Sequence, residues 1–198
     1  FESGMTLEDI TRAITEVTDL PVFIQIHADS EDALVARAEK LHAISSQVGF
    51  KIVADEKGVW AIRRLQKKGI ACIATTLFSI SQASVAAMVG AFGICPFISR
   101  ARGIGMDLRK IIKTIKAGYA RLNNPPEIIA ASIKDPSDVE LAYSAGADAV
   151  TARYAMIKEM MAHPLSQKAE ILFAKNWRNV KGEDAGYLIP PLNMKEDA

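Results

Sequence analysis

One lysine, Lys51, interrupts an otherwise apolar run between Phe50 and Ile52. Strand alternation would place Lys51 and Val53 on one face of a sheet and their two neighbours on the other. If the lysine face points into a closed sheet, the cost of burying a charge favours the neutral amine. A neutral amine attacks carbonyl groups and forms Schiff bases. A strand-end lysine that extends its charge to water is the alternative, and position alone leaves both interpretations open.

Polar and aromatic side chains occupy comparable places on other apolar runs. The same alternation predicts four further side chains on the inner face, near the carboxyl ends of their strands: Gln25, Thr75, Phe97 and Ser132. Active sites of parallel α/β barrels form at that end of the strands. The alternative for the serine and the threonine is a role as helix N-caps.

Two basic residues follow the runs closely. Arg100 and Lys134 come two or three residues after the predicted strands, where a guanidinium and an ammonium group can bind a phosphate. Solvent-exposed loop charges are the commoner interpretation of such residues.

Histidine and cysteine offer little sign of a metal centre. The chain has three histidines and two cysteines, and they show no ligand spacing. We therefore expect no metal. Cys72 and Cys95 lie in apolar runs, which favours a reducing compartment and a cytoplasmic location.

The elements that must position these residues are visible as hydrophobic periodicity. Short runs that are apolar on both faces are typical of strands in a parallel sheet. They occur at Val22–Ile26, Phe50–Val53, Ala71–Thr76, Ile94–Ile98, Glu127–Ser132 and Asp148–Thr151. Helical patterns alternate with them at Ala33–Ile44, Gly58–Gln66, Ser81–Val89, Asp107–Leu122 and Pro136–Tyr143.

Six βα units in series predict an α/β fold with right-handed crossovers. A doubly wound sheet that binds nucleotides should carry a glycine-rich turn after its first strand. Here His27-Ala-Asp-Ser-Glu follows that strand instead, so we prefer the (β/α)8 TIM barrel. Such a barrel has eight strands, and this chain opens in a helix that Thr6 and Asp9 cap. We expect about two βα units to be missing before residue 1, a barrel domain over residues 1–181 and a tail over residues 182–198.

Composition limits the function classes. A formal charge of +1, with 49% apolar and 24% charged residues, is ordinary for a globular protein. It gives no electrostatic case for nucleic acid or an acidic membrane as the main partner. No apolar stretch approaches the roughly 18 residues of a membrane span.

Four blocks together resemble the small transaldolases and fructose-6-phosphate aldolases. They are Phe50-Lys51-Ile52, Gly69-Ile70 with Ala74-Thr75-Thr76-Leu77-Phe78-Ser79 and Gln82, Pro96-Phe97-Ile98-Ser99-Arg100, and Ile129-Ala130-Ala131-Ser132-Ile133-Lys134. His163-Pro164-Leu165 and Asn176-Trp177 fit as well. The resemblance spans roughly Phe23 to Trp177, in matching order and spacing.

The resemblance implies a class I aldolase barrel that works without metal or organic cofactor. Lys51 would be the Schiff-base lysine that transfers a dihydroxyacetone unit between sugar phosphates. Gln25 and Thr75 would hold a catalytic water, and the substrate's phosphate would lie among Arg100, Ser132 and Lys134. Phe97 is transaldolase-like, since the aldolase branch has tyrosine there. Homo-oligomers, pentamers or decamers, are also implied.

The chain departs from the family pattern in several places. The nucleophile motif Lys-x-Pro-x-Thr is here Lys51-Ile-Val53-Ala-Asp55, and Arg153 stands where proline is common. The family's acid/base aspartate would precede residue 1. These departures leave open a fructose-6-phosphate aldolase, a non-catalytic paralogue and another Schiff-base barrel aldolase, such as one acting on deoxyribose phosphate.

Overall fold

A computed structural model describes residues 4–178 of the chain. The chain divides into two compact units between Ile157 and Lys158. The predicted tail over residues 182–198, and with it the domain boundary at residue 181, lies outside the described residues.

The first unit contains a parallel sheet of six strands in the order β1-β2-β3-β4-β5-β6. The strands are β1 Val22–Gln25, β2 Val48–Val53, β3 Cys72–Leu77, β4 Gly93–Pro96, β5 Glu127–Ala130 and β6 Ala149–Val150. Every strand therefore pairs with its neighbours along the chain, as in a (β/α) barrel. All six predicted strands are confirmed, and the described sheet curls into a partial barrel.

Helices alternate with the strands. Those of the first unit are α1 Leu7–Glu16, α2 Glu31–His42, α3 Glu56–Gln66, α4 Ile80–Met88, α5 Ile98–Gly103, α6 Leu108–Tyr119 and α7 Pro136–Ser144. Helix α8, Tyr154–Met161, spans the division, and α9, Pro164–Arg178, belongs to the second unit. The short helix α5 was not predicted, because its six residues carry no capping side chain.

Local chemistry fixes where these helices begin. The Thr6 hydroxyl accepts a hydrogen bond from the backbone N–H of Asp9, whose carboxylate accepts one from the Thr6 N–H, so the predicted capping box of α1 is confirmed. Asp135 caps α7 in the same way, with Pro136 in the first turn, where its missing N–H costs nothing. Such caps are each worth about 1 kcal/mol.

The two faces of the sheet differ. One face packs against the helices in a large apolar core that includes Phe50, Ile52 and Ile94. The concave face carries a much smaller apolar cluster of Ile73, Cys95 and Ala131, with aromatic and aliphatic neighbours at its rim. Alternation therefore separates a structural face from a face that is available for a site.

No helix within residues 4–178 is both long enough and apolar enough to cross a bilayer.

Candidate active site

Lys51 lies on the concave face of the sheet. Its neighbours Phe50 and Ile52 are fully buried in the helix-side core, whereas Lys51 is only partly buried. Backbone pairing places it beside Gln25 of β1 and Ile73 of β3. The alternation predicted for this strand is thus the alternation observed.

Thr75 and Cys95 lie near Lys51 on the same face. They are register partners on β3 and β4, and both are buried. Burial raises the pKa of the Cys95 thiol, and the positive charge of Lys51 and a contact with the Thr75 hydroxyl offset part of that rise. Apart from this weak sulfur partner, no described residue forms a hydrogen bond with the Thr75 hydroxyl.

An open cleft of about 440 Å³ joins Lys51 to the carboxyl ends of β4, β5 and β6. Its walls include Phe97 and Arg100 from the β4 end, and Ser132 and Lys134 after β5. Five of the seven predicted site residues therefore line one cleft. Gln25 and Thr75 do not line this cleft, although both lie on the same concave face of the sheet as Lys51.

Phe97 and Arg100 form a unit at the mouth of the cleft. The guanidinium carbon of Arg100 lies 5.0 Å from the centre of the Phe97 ring, which is cation–π geometry. The Phe78 ring packs edge-on against the Phe97 ring, with the two ring centroids 5.9 Å apart. Helix α5 buries Ile98, Ser99 and Ala101 and leaves Arg100 exposed, so the arginine is displayed by a helix.

The inner-face alternation predicted for Ser132 is wrong, although the residue does line the cleft. Phe97 pairs with Ala131, and it is Ala131 that packs in the concave-face cluster. Ser132 has φ of 62°, a left-handed backbone that ends the alternation. Thr76, after β3, has φ of 65°. Such residues cost of order 1–3 kcal/mol each and cluster at functional sites.

A buried carboxylate, Asp138, holds the two basic walls of the cleft together. It is 0% exposed, and its Oδ2 accepts hydrogen bonds from the Ser99 hydroxyl at 2.6 Å and from the Lys134 backbone N–H at 2.9 Å. A guanidinium nitrogen of Arg102 lies 2.7 Å from the other oxygen, Oδ1. Helix α5, which carries Arg100, is thus tied to the loop that carries Lys134.

Asp135 extends this network to the surface. Its carboxylate accepts hydrogen bonds from Ser137 and Arg102 and from the backbone N–H of Asp138. These interactions, with Ser137 the strongest, hold the pKa of Asp135 below its usual value.

The electrostatic character of the cleft is strongly basic. Four cations line it: Lys51, Arg100, Lys134 and Arg153. None of the four forms an ion pair with a residue in the range 4–178. The ion pairs in that range involve other cations, namely Lys40, Arg64, Lys68, Arg102 and Lys116. Among the described residues, no carboxylate lines the cleft. The cleft is therefore suited to an anionic ligand.

Sequence reasoning missed two parts of this site. Thr151 and Arg153, after β6, line the cleft although neither was among the predicted site residues. The Asp138 network was also missed, because its donors lie as far as 39 positions away in the chain. In the part of the chain that the structure describes, no group of three or more histidine, cysteine, aspartate or glutamate residues could hold a metal ion.

Comparisons with known proteins agree with the fold. The sequence profile of the transaldolase/fructose-6-phosphate aldolase family matches residues 2–186. A probable transaldolase of Geobacter metallireducens is 32% identical over 90% of this chain and 84% of its own length. Probable transaldolases of Thermoplasma volcanium and Thermus thermophilus are 31% and 35% identical, over 91% and 86% of this chain and 81% and 76% of theirs.

The match covers most of the chain and includes every residue of the cleft. On the strength of the profile and of these relatives, the chain belongs to the transaldolase/fructose-6-phosphate aldolase family.

Proposed function

We propose that this protein is a Schiff-base transaldolase that moves a dihydroxyacetone unit from a ketose phosphate to an aldehyde acceptor. The observation that carries this proposal is the position of Lys51, a partly buried amine without an ion-pair partner in the described chain, in a cleft with Arg100, Ser132 and Lys134. Its relatives are probable transaldolases. We further predict a cytoplasmic homo-oligomer that requires no cofactor.

The chemistry begins at the Lys51 amine. Its lone pair forms a C–N bond to the C2 carbonyl of the ketose. The carbonyl oxygen takes one proton from the amine and one from solvent and leaves as water, and an iminium ion remains. The C3–C4 bond then breaks as a base takes the C4 hydroxyl proton. The electron pair moves to the iminium nitrogen, giving an enamine, and C4 departs as an aldehyde.

Transfer reverses these bonds on a new acceptor. The enamine carbon forms a C–C bond to the acceptor aldehyde, whose oxygen takes a proton. Water then hydrolyses the iminium ion, which frees the product ketose and the Lys51 amine. Arg100, Ser132 and Lys134 hold the phosphate of the donor until its aldehyde fragment leaves, and then the phosphate of the acceptor, so remote binding orients the reacting carbon in both halves of the reaction.

The experiment that tests this proposal is trapping of the iminium ion. Borohydride reduction in the presence of dihydroxyacetone or fructose 6-phosphate should attach the three-carbon unit irreversibly to Lys51. Peptide mass mapping locates the adduct, and the same reaction without sugar is the control. An adduct on another lysine, or no adduct at all, would refute the assignment.

A substitution at Thr75 should change activity and stability in opposite directions. We propose that its hydroxyl, together with Gln25, holds the water used in the reaction. Thr75→Val removes a buried hydroxyl whose one partner is a thiol, so stability should rise by about 1 kcal/mol. Turnover should fall on the order of 10²-fold. Urea unfolding and steady-state kinetics measure the two effects, with Thr75→Ser as the matched variant that keeps the hydroxyl. Unchanged turnover in Thr75→Val would remove Thr75 from the mechanism.

A second candidate function is supported by the absence of a carboxylate from the described cleft lining. Breaking the C3–C4 bond requires a base, and a cleft of cations favours binding over proton removal. On this alternative the protein binds sugar phosphates without cleaving them. Measurable release of glyceraldehyde 3-phosphate from fructose 6-phosphate would exclude it.

A further inference from the structure

The cleft holds more positive charge than one phosphate group uses. A phosphate ester carries a charge of about −1.5 to −2 near neutral pH, so two cations balance it. Arg100 and Lys134 supply these two, and the Asp138 network ties their supporting segments together. If Lys51 reacts as a neutral amine, Arg153 remains as an unbalanced cation.

Arg153 reaches the cleft from a different part of the sheet. It follows β6, which pairs with β5 through Ile129–Ala149 and Ala130–Val150. Its side chain is exposed and, within the described residues, has no ion-pair partner. It is not part of the network around Asp138. Arg153 therefore offers a second anion-binding point, independent of the first.

Building on the function proposed above, we propose that Arg153 makes this cleft selective for a sugar phosphate with a second anionic group. A guanidinium binds phosphate and carboxylate oxygens in the same forked geometry, so that second group is either a phosphate or a carboxylate. With Lys51 neutral, the other three cations of the cleft have no counter-charge among its lining residues and repel one another, and a ligand with two anionic groups relieves that repulsion better than a ligand with one.

The test compares the affinity of three probes for the intact protein by titration calorimetry: fructose 6-phosphate, fructose 1,6-bisphosphate and 6-phosphogluconate. We expect at least one doubly anionic probe to bind about tenfold more tightly than fructose 6-phosphate. In Arg153→Met this preference should disappear, so that the doubly anionic probe and fructose 6-phosphate bind with about equal affinity. The affinity for fructose 6-phosphate itself should stay within about twofold of wild type. A gain for the bisphosphate alone identifies a phosphate, and a gain for 6-phosphogluconate alone identifies a carboxylate.

Controls make the result specific to Arg153. Arg109→Met removes the same charge from an exposed position on α6 that does not line the cleft, and should leave the preference unchanged. Arg153→Lys should keep part of it, and thermal melting checks that each variant is folded. Equal affinities for all three probes, or equal weakening of all three by Arg153→Met, would overturn the proposal.

Binding and chemistry are tested separately. Repeating the titrations in Lys51→Arg keeps the charge but removes the covalent step. A failed borohydride trap with an intact binding preference would refute the Schiff-base function alone. A successful trap with no preference would refute the role of Arg153 alone.

Discussion

Lys51→Met should lower the transaldolase rate on the order of 10⁴-fold or more, because the variant has no amine to form the iminium ion. The side chain is of similar length and lies on a partly buried face, so the fold should persist. Borohydride trapping should disappear at the same time. Coupled kinetic assays with fructose 6-phosphate and an aldehyde acceptor measure the loss.

Lys51→Arg is the decisive companion variant. It keeps a positive charge in the cleft but supplies no nucleophile at neutral pH. If Lys51 acted only by attracting phosphate, this variant would retain much of the rate. We expect it to be as inactive as Lys51→Met, whereas Lys113→Met, on the exposed side of α6, should behave as wild type.

Asp138→Ala should lower the free energy of unfolding by about 3–5 kcal/mol, since it removes a buried charge and leaves its partners unpaired. The Ser99 hydroxyl and the backbone N–H of Lys134 would lose their acceptor, and Arg102 would lose its buried partner. Urea denaturation measures the change. Asp32→Ala is the matched control, because Asp32 pairs with Arg64 but its side chain is 86% exposed. That loss should stay below about 1 kcal/mol.

A milder substitution, Asp138→Asn, should weaken substrate binding. Arg100 and Lys134 contact the phosphate on our proposal, and Asp138 acts only through them. At a temperature where Asp138→Asn is fully folded, its KM for fructose 6-phosphate should rise severalfold while the iminium trap still forms.

For the stability prediction, an unfolding midpoint of Asp138→Ala equal to that of wild type would show that the buried carboxylate does not hold this part of the fold.

The strands and their inner faces were predictable because each depends on local pattern. Runs such as Glu127–Ser132 are apolar on both faces, and Lys51 stands out within its own run. The Asp135-Pro136 start of α7 was equally local. These features need no knowledge of distant residues, which is why the sheet order and the side of Lys51 followed from the sequence.

The remaining parts of the site depend on contacts that no local pattern encodes. The capping-box position of Asp138 predicts only a helix start, yet the carboxylate also bonds to Ser99 on another helix. Strict alternation assigns the concave face to Ala131, and the left-handed backbone at Ser132 overrides it. Helix α5 forms without a capping side chain, since Ser99 and its neighbours are held by the end of β5.

The two cysteines lie on opposite faces of the sheet: Cys72 belongs to the helix-side core and Cys95 to the concave-face cluster. Burial raises the pKa of Cys72 to about 12 and that of Cys95 in the same direction, so thiolate is scarce at either position. Alkylating reagents should therefore not label either thiol in the native protein, and labelling should occur only when a local opening exposes a cysteine. The labelling rate of Cys72 would therefore measure how often the helices separate from the sheet, and the labelling rate of Cys95 would measure how often the concave surface next to Lys51 becomes exposed.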